Sequence, residues 1–187
     1  MNIIGGKFRN RRLLVPKGAV TRPTSAIMRK SLFDICRPMI DQAVVLDLFA
    51  GSGAIGIEAI SRGAAHVTFV DREKDAIFCI KENIKALRVE EQASCILADA
   101  TAALEKLKKK GAHFDLIYVD PPYNLKEKYK EILHYIDEEN LLNPSGLLFI
   151  EEAEASSIAP QTLALSHLLF EETRRFGKSL LHKFTRG

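Results

Sequence analysis

Short apolar runs alternate with amphipathic segments between residues 43 and 152. The apolar runs are nearly continuous, which is typical of strands buried on both faces of a sheet; they are AVVLDLF (43–49), HVTFVD (66–71), ASCILAD (93–99), FDLIYVD (114–120) and GLLFIEE (146–152). The segments between them have helical spacing and cover 55–62, 74–87, 101–109 and 126–138. Because strands joined by crossover helices lie parallel, this order predicts an α/β fold with a doubly wound, Rossmann-like sheet.

The C-terminal end departs from this alternation. Residues 168–186 (LLFEETRRFGKSLLHKFTR) contain two strand-like runs joined around Gly177. Such a pattern predicts an antiparallel hairpin that closes one edge of the sheet. With the five parallel strands, the hairpin brings the predicted sheet to seven strands.

The N-terminal end also differs. Residues 2–18 (NIIGGKFRNRRLLVPKG) suggest a short hairpin, and Thr24 is a candidate N-cap for a helix that runs to Ile35. We expect one face of this helix to be apolar and its two basic residues to lie off that face; the apolar residues are Ile27, Leu32 and Ile35, and the basic ones are Arg29 and Lys30. We therefore divide the chain into a basic extension, 1–40, and a sheet domain, 41–187.

The composition fits a single globular unit. The chain has 187 residues, of which 47% are hydrophobic and 27% charged, and this content is too apolar for a disordered chain. We expect a cytoplasmic protein, since no apolar stretch of signal or membrane-spanning length follows the N terminus. We also expect it to be a monomer. The three cysteines are widely spaced and have no metal-type pairing with histidines, so we expect reduced thiols and no metal site; they are Cys36, Cys79 and Cys95.

Charge is distributed unevenly along the chain. Residues 1–40 hold nine Lys or Arg residues and one acid, a net +8, so the remainder of a chain whose total is +3 carries −5. A second basic cluster lies near the C terminus and comprises Arg174, Arg175, Lys178, Lys183 and Arg186. Basic ends on an acidic body favour a polyanion partner, because lysine and arginine displace the counterions condensed on phosphates. A solvated face without a partner is the alternative.

A glycine-rich loop follows the first predicted sheet strand. VLDLFAGSGAIGIEAI places Gly51, Gly53 and Gly56 between that strand and a helix, where bare backbone and free amides can meet a ligand. Asp71 ends the next strand, twenty residues after Gly51, where a carboxylate can bind the two ribose hydroxyls of a cofactor. This context indicates an adenosine-type cofactor.

The type of cofactor depends on Asp47, which lies in the strand before the loop. An acid there disfavours the pyrophosphate of a nicotinamide dinucleotide and favours the ammonium and sulfonium of S-adenosylmethionine (AdoMet), although it could instead only accept loop amides. Asp99 ends the third run, where it could reach the adenine ring, cap the following helix, or do both.

Four residues, Asp120 to Tyr123, follow the fourth strand at the edge where open α/β sheets bind ligands. Pro121 and Pro122 stiffen the loop, so that Asp120 and the Pro121 carbonyl form a compact pair of acceptors. Such a pair fits the two hydrogens of a nucleobase amino group, and Tyr123 could stack on the base. The alternative is a helix start in which Asp120 is the cap and Pro121 the first residue.

These motifs resemble a known family. LDLFAGSGAIGIEA and VDPPY are similar to class I AdoMet-dependent methyltransferases that act on amino groups of nucleic acids. The N-terminal IIGGKFRNRRLLVPKG, RPT and RKSLFDI resemble RsmD-type enzymes, which methylate the guanine N2 atom of bacterial 16S ribosomal RNA. The chain departs from the usual family residues at Ala26, Ile27 and Lys30.

The resemblance implies a set of functional residues. Cofactor binding is expected at Asp47, Phe49, Gly51, Gly53, Asp71, Asp99 and Ala100. The guanine amino group is expected at Asp120, Pro121, Pro122 and Tyr123. The basic extension is expected to bind 16S rRNA, or the small ribosomal subunit particle, through Lys7, Arg9, Arg11, Arg12, Arg22, Thr24 and Arg29.

Three alternatives stay open at this point. An adenine-N6 DNA or RNA methyltransferase would use the same DPPY motif. An NAD-dependent oxidoreductase would use the glycine loop but would leave DPPY unexplained. An RNA-binding module without enzymatic activity would explain the charge distribution and nothing else.

Overall fold

The computed structural model describes residues 1–16, 25–121, 126–156 and 159–187. It contains seven strands, which are β1 (Val44–Leu48), β2 (His66–Asp71), β3 (Ala93–Leu97), β4 (Phe114–Val119), β5 (Leu142–Ala153), β6 (Leu168–Phe176) and β7 (Ser179–Arg186). The α-helices are α1 (Ala26–Cys36), α2 (Ala54–Ser61), α3 (Lys74–Leu87), α4 (Ala100–Lys109) and α5 (Lys126–Glu138). Short 3₁₀ helices lie at Glu90–Gln92, Glu154–Ser156 and Pro160–Thr162.

All seven strands form one sheet in the order β3-β2-β1-β4-β5-β7-β6. The pairs among β1 to β5 are parallel, whereas β7 pairs antiparallel with both β5 and β6. The predicted α/β sheet and its C-terminal hairpin are therefore confirmed. The chain order reverses direction at β1, so the ends of β1 and β4 form a crevice in which such folds bind ligands.

Helices cover the two faces of the sheet with two separate apolar clusters. One cluster contains core residues of α1, α2 and α3 together with Val45, Tyr118 and Phe149. The other contains core residues of α4 and α5 together with Leu46 and Leu48. Because successive strand residues point to opposite faces, Val45 and Leu46 belong to different clusters.

The strands at the edges differ from the expected pattern. β3 is an edge strand and is only half-buried, with Leu97 48% exposed, so the prediction that this run is buried on both faces is wrong. β5 begins at Leu142, earlier than the predicted run, and an irregularity opposite Phe114 and Leu116 accommodates its extra residues.

The N-terminal residues 1–14 pack against the ends of α2 and α3. Backbone hydrogen bonds link Ile3 with Asn10 and Arg11 in a loose antiparallel pair, as the predicted hairpin requires. The Ile4 amide donates to Glu58 Oε2 (2.8 Å), and the Phe8 amide donates to Ser61 Oγ (2.9 Å). Buried apolar residues of this segment, Ile3 and Leu13, lie in the same cluster as α1 to α3.

Helix α1 corrects two expectations. Its N-cap is Ser25, whose hydroxyl accepts the Met28 amide, and the predicted cap, Thr24, lies outside the described residues. Ile27 is 74% exposed and Arg29 is only 3% exposed, so the expected faces of the helix are wrong at both positions. Leu32 is buried as expected, and Met28 and Phe33 complete the apolar face.

None of the described helices has both the length and the apolar content that crossing a membrane requires.

Replacement of Gly56 tests how closely α2 packs on the sheet. A Cβ atom at this position would collide with the ring of Phe69 and with Val67. Gly56→Ala should therefore lower the free energy of unfolding by about 1–3 kcal/mol, as overpacked cores do. Urea unfolding measures this change.

The matched control is the same substitution in a Phe69→Leu background, where the smaller side chain relieves the collision and the cost of Gly56→Ala should shrink. Helix propensity alone predicts the opposite sign, since alanine favours a helix over glycine by about 1 kcal/mol. A more stable Gly56→Ala protein would contradict the close packing.

Candidate active site

The glycine loop connects β1 to α2 at the carboxyl edge of the sheet. Three of its residues adopt left-handed backbone conformations, with φ of 59° at Phe49, 55° at Gly51 and 74° at Gly53. A Cβ atom built on Gly51 would meet nothing closer than 4.0 Å, so one side of this residue faces open space. Gly53 is the N-cap of α2, whose first amides have no partners inside the helix. The loop therefore offers bare backbone and free donors to a ligand.

Asp71, at the end of β2, holds this loop in place. Its Oδ2 accepts the Gly51 amide (2.8 Å), and its Oδ1 accepts the Glu73 amide (2.9 Å). An ionised carboxylate has about four acceptor positions, so each oxygen can still accept a ribose hydroxyl. Asp71 thus combines a structural contact with the capacity for the predicted one.

Asp47 lies beneath the loop and is 2% exposed. Its Oδ2 accepts the Gly56 amide (2.9 Å), so it makes the loop contact that was the alternative interpretation of this acid. Burial raises the pKa of Asp47 to about 8; the Gly56 hydrogen bond opposes this rise, and the charge of Asp71 adds to it. The protein therefore holds an acid here that a bound cation would help to ionise.

Asp120 and Glu151 lie beside Asp47. Asp47 pairs with Tyr118 across β1 and β4, and Tyr118 pairs with Phe149 across β4 and β5. Strand alternation places Asp120 and Glu151 one step further along the same face. Burial raises the pKa of Asp120 well above its ordinary value, and the charges of Glu151 and Asp47 raise it further. Three acids are therefore concentrated at the ends of β1, β4 and β5.

Tyr118 donates its hydroxyl to Glu151 Oε2 at 2.6 Å, and both residues are buried. The sequence analysis missed this pair. The available signal was an acid at the end of the apolar run GLLFIEE, next to the DPPY strand. Pro121 is buried directly after Asp120, whereas Pro122 and Tyr123 lie outside the described residues.

Asp99 and Ala100 begin helix α4 at the end of β3. Asp99 is the N-cap, since its Oδ1 accepts the Thr101 amide at 3.1 Å, and the same oxygen lies 2.8 Å from Lys128 Nζ. The Lys128 hydrogen bond lowers the pKa of Asp99, and the Thr101 amide also contributes. Asp99 is exposed and Ala100 is buried. The capping role of Asp99 is confirmed, and its contact with adenine stays a prediction.

The predicted RNA-binding residues fall into three groups. Four are exposed on the N-terminal hairpin and its flanks, namely Lys7, Arg9, Arg11 and Arg12. Arg22 and Thr24 lie outside the described residues. Arg29 is buried among core residues of α1, so its predicted contact with RNA is wrong.

The C-terminal basic cluster is largely paired within the protein. Arg174 contacts Glu172 (2.9 Å), Arg175 contacts Glu154 (2.8 Å), and Lys183 lies 3.9 Å from Glu171. Arg186 donates to a backbone carbonyl, that of Leu142. This cluster offers less free positive charge than its sequence suggested.

Known proteins are similar to this chain over almost its whole length. The family described as "Conserved hypothetical protein 95" matches residues 1–184. The chain belongs to this family. The resemblance to RsmD-type methyltransferases, which the N-terminal and DPPY motifs indicated, is confirmed.

Individual proteins are similar to the chain at the following levels. "Putative rRNA methyltransferase YlbH" of Bacillus subtilis is 40% identical over 151 residues, which cover 81% of this chain and 82% of YlbH. "Ribosomal RNA small subunit methyltransferase D" of Haemophilus influenzae is 33% identical over 168 residues, which cover 88% and 86%. The solved structure "Putative methyltransferase yhhF from Escherichia coli" has a TM-score of 0.85 and 28% identity, and covers 100% of this chain and 97% of its own.

The substitution Asp47→Asn tests whether the raised pKa of Asp47 makes the stability of the protein depend on pH. The folded pKa of about 8 lies above the unfolded value of about 3.9, so the stability linked to Asp47 is present below about pH 4 and is lost as pH rises toward 8. Asparagine can still accept the Gly56 amide but carries no charge. Asp47→Asn should therefore stabilise the free protein at pH 8 by about 1–3 kcal/mol and flatten this decline.

Urea unfolding between pH 4 and pH 9 measures this effect. Asp41→Asn, at an exposed position, is the control and should leave the profile unchanged. A loss of stability in Asp47→Asn at pH 8 would show that the pKa of Asp47 is not raised in the folded protein.

Proposed function

We propose that this protein transfers the methyl group of AdoMet to the exocyclic N2 atom of a guanine in 16S rRNA. The observation that carries the proposal is the position of Asp120 and Pro121, which leave β4 beside the glycine loop of β1. Asp120 lies on the same sheet face as Asp47. Burial raises the pKa of Asp120, and the charges of Glu151 and Asp47 raise it further, as expected for neighbouring acids. A methyl donor on the loop and an amino group on Asp120 would then be neighbours.

The residues present fit AdoMet by charge and by space. AdoMet carries an ammonium and a sulfonium, and the acids at the ends of β1, β4 and β5 would offset both charges. Gly51 leaves open space over the loop, and Asp71 retains acceptor positions for ribose hydroxyls. A pyrophosphate would instead meet the buried Asp47. When bound, AdoMet supplies an electrophilic methyl group on a cationic sulfur.

Asp120 would orient the amino group. The nitrogen of a nucleobase amine is a poor nucleophile, since its lone pair is delocalised into the ring. Hydrogen bonds from its two hydrogens to the Asp120 carboxylate and the Pro121 carbonyl favour a more tetrahedral nitrogen with an available lone pair. The raised pKa of Asp120 also makes its carboxylate a stronger base, which favours acceptance of the proton that the amine loses on methylation.

The N-terminal hairpin supplies the surface for the polyanion. Arg9, Arg11 and Arg12 are exposed and form no ion pair among the residues that the structure describes. Lys7 donates to Gln92 and lies over the ring of Phe8 (4.9 Å), which keeps its charge at the same surface. A base inside a helical RNA must leave its stack to reach Asp120.

The names of the relatives support the substrate class. The H. influenzae relative is called a small-subunit rRNA methyltransferase and the B. subtilis relative an rRNA methyltransferase. An rRNA methyltransferase is therefore the coarser form of the proposal. The guanine N2 atom rests on the resemblance of the N-terminal motifs, since the acceptor pair at Asp120 fits the amino group of either guanine or adenine.

Asp120→Ala separates chemistry from cofactor binding. Loss of the acceptor should lower kcat for rRNA methylation by about 10²–10³-fold, the usual effect of removing a transition-state contact. The affinity for AdoMet should change little, because the glycine loop and Asp71 stay intact. Transfer of labelled methyl groups to rRNA and calorimetric titration with AdoMet measure the two quantities.

Asp34→Ala, a change of an exposed acid on α1, is the control and should retain both activities. A parallel loss of AdoMet affinity and kcat in Asp120→Ala would contradict the assigned role. Mass spectrometry of the methylated nucleoside identifies the base and distinguishes guanine N2 from adenine N6.

A triple substitution tests the hairpin as the RNA surface. Arg9, Arg11 and Arg12, all replaced by Ala, should weaken RNA binding and reduce the salt slope of log affinity by about 2, since each phosphate contact contributes about 0.7–0.9. The charge-matched control replaces Lys106, Lys109 and Lys110, which lie at the end of α4 on the opposite sheet face. Equal losses in both triple variants would mean that total charge, and not this hairpin, governs binding.

A further inference from the structure

Arg29 is a buried cation with unused hydrogen-bond donors. It is 3% exposed, and it is the only Lys or Arg among the buried residues of the described chain. Its Nη2 donates to the Asn2 carbonyl (3.1 Å), whereas its Nε and Nη1 are buried and have no partner. Because unpaired buried donors are costly, a buried guanidinium with two of them requires a reason.

The surroundings of Arg29 do not supply the missing acceptors. The acid whose charge influences it is Glu58, but Glu58 Oε1 already accepts Arg62 Nε (2.9 Å) and Glu58 Oε2 accepts the Ile4 amide (2.8 Å). Burial lowers the pKa of Arg29, and the charge of Glu58 opposes that change. The guanidinium is thus charged, partly offset by Glu58, and short of hydrogen-bond acceptors.

Arg29 lies beside the ligand-binding edge of the sheet. Tyr118, which is close enough to influence it, pairs with Asp47 on the neighbouring strand and donates to Glu151. Core residues of helix α1 pack on the sheet face to which Tyr118 points. Met1, next to Asn2, places its sulfur 3.9 Å from Ser52 Oγ in the glycine loop. Arg29 is therefore connected to both the loop and the β4 strand.

The orientation of the proposed cofactor sets which of its ends lies near Arg29. Asp99 and Asp71 mark the adenosine side, at the ends of β3 and β2. The sheet order then leads to β1 and β4, so an extended cofactor directs its amino-acid end toward Tyr118 and the three acids. These acids fit its two cationic centres. Its carboxylate, the single anionic group of AdoMet, is complementary to a cationic donor on the same side.

We propose that the Arg29 guanidinium binds the carboxylate of the cofactor's amino-acid end through its two unpaired nitrogens. The inference rests on AdoMet as the cofactor and adds a residue that fixes its amino-acid end. A guanidinium presents donors in a planar fork that matches a carboxylate, and burial strengthens the contact. Arg29 would thereby position the donor relative to Asp120 without touching the RNA.

Calorimetric titration of the full chain with AdoMet and with decarboxylated AdoMet tests the proposal. The second ligand keeps the sulfonium and the ammonium and lacks only the carboxylate. The wild-type protein should bind AdoMet about 10- to 100-fold more tightly than the decarboxylated ligand, as expected for a charge-assisted contact. Arg29→Gln should weaken AdoMet binding by the same factor and leave the affinity for decarboxylated AdoMet unchanged. Arg29→Lys, which keeps the charge, should retain part of the preference.

The control is Lys30→Gln, which removes the neighbouring exposed charge of α1 and should alter neither affinity. Equal wild-type affinities for the two ligands would overturn the role of Arg29, and this comparison needs no variant, so poor folding of Arg29→Gln cannot obscure it. An equal weakening of both ligands in Arg29→Gln would likewise overturn it in favour of a structural role. Absence of AdoMet binding by the wild type would overturn the proposed function as well, which separates the two failures.

Discussion

Two carboxylate-to-amide contacts hold the glycine loop, and the rest of the site depends on them. Asp71 accepts the Gly51 amide, and Asp47 accepts the Gly56 amide. The loop needs these contacts because Phe49, Gly51 and Gly53 adopt left-handed conformations, which cost free energy at a non-glycine residue such as Phe49. The same acids that stabilise the loop also determine its charge. The two aspartates therefore both stabilise the conformation of the loop and favour a cationic ligand beside it.

The N-terminal segment completes the site from outside the sheet. Its backbone is bound by Glu58 and Ser61 of α2 and by Asn83 of α3, whose Oδ1 accepts the Leu14 amide at 2.7 Å. Asn83 also donates to the Ser52 carbonyl, so one side chain joins the N-terminal segment to the glycine loop. Residues 1–14 and the glycine loop are therefore held by the same side chain. RNA bound to the hairpin would have a fixed position relative to the cofactor site.

The sheet, its helices and the carboxyl-edge acids were predictable because they follow from local periodicity and strand order. The faces of α1 were not, since Ile27 and Arg29 exchange the environments that hydrophobicity assigns to them. Burial of Arg29 depends on Asn2, Glu58 and Tyr118, which are distant in sequence, and no local pattern records such contacts. The Tyr118–Glu151 pair was missed for the same reason, although its acid was visible at the end of β5. Periodicity identifies elements, but it does not identify which charges tertiary contacts bury.

Protonation reconciles an acidic site with a phosphate-rich partner. Ionised Asp47, Asp120 and Glu151 together would repel an approaching RNA backbone and would stabilise each other poorly. The pKa of Asp47 is raised to about 8, so this acid is mostly protonated in the free protein near neutral pH, and the edge carries less negative charge than its residue count implies. Burial and the neighbouring acids also raise the pKa of Asp120. Binding of a cationic donor would favour release of the Asp47 proton, and the exposed arginines of the hairpin would attract phosphates at a separate surface. The protein thus keeps opposite electrostatic requirements apart by distance and by linked protonation.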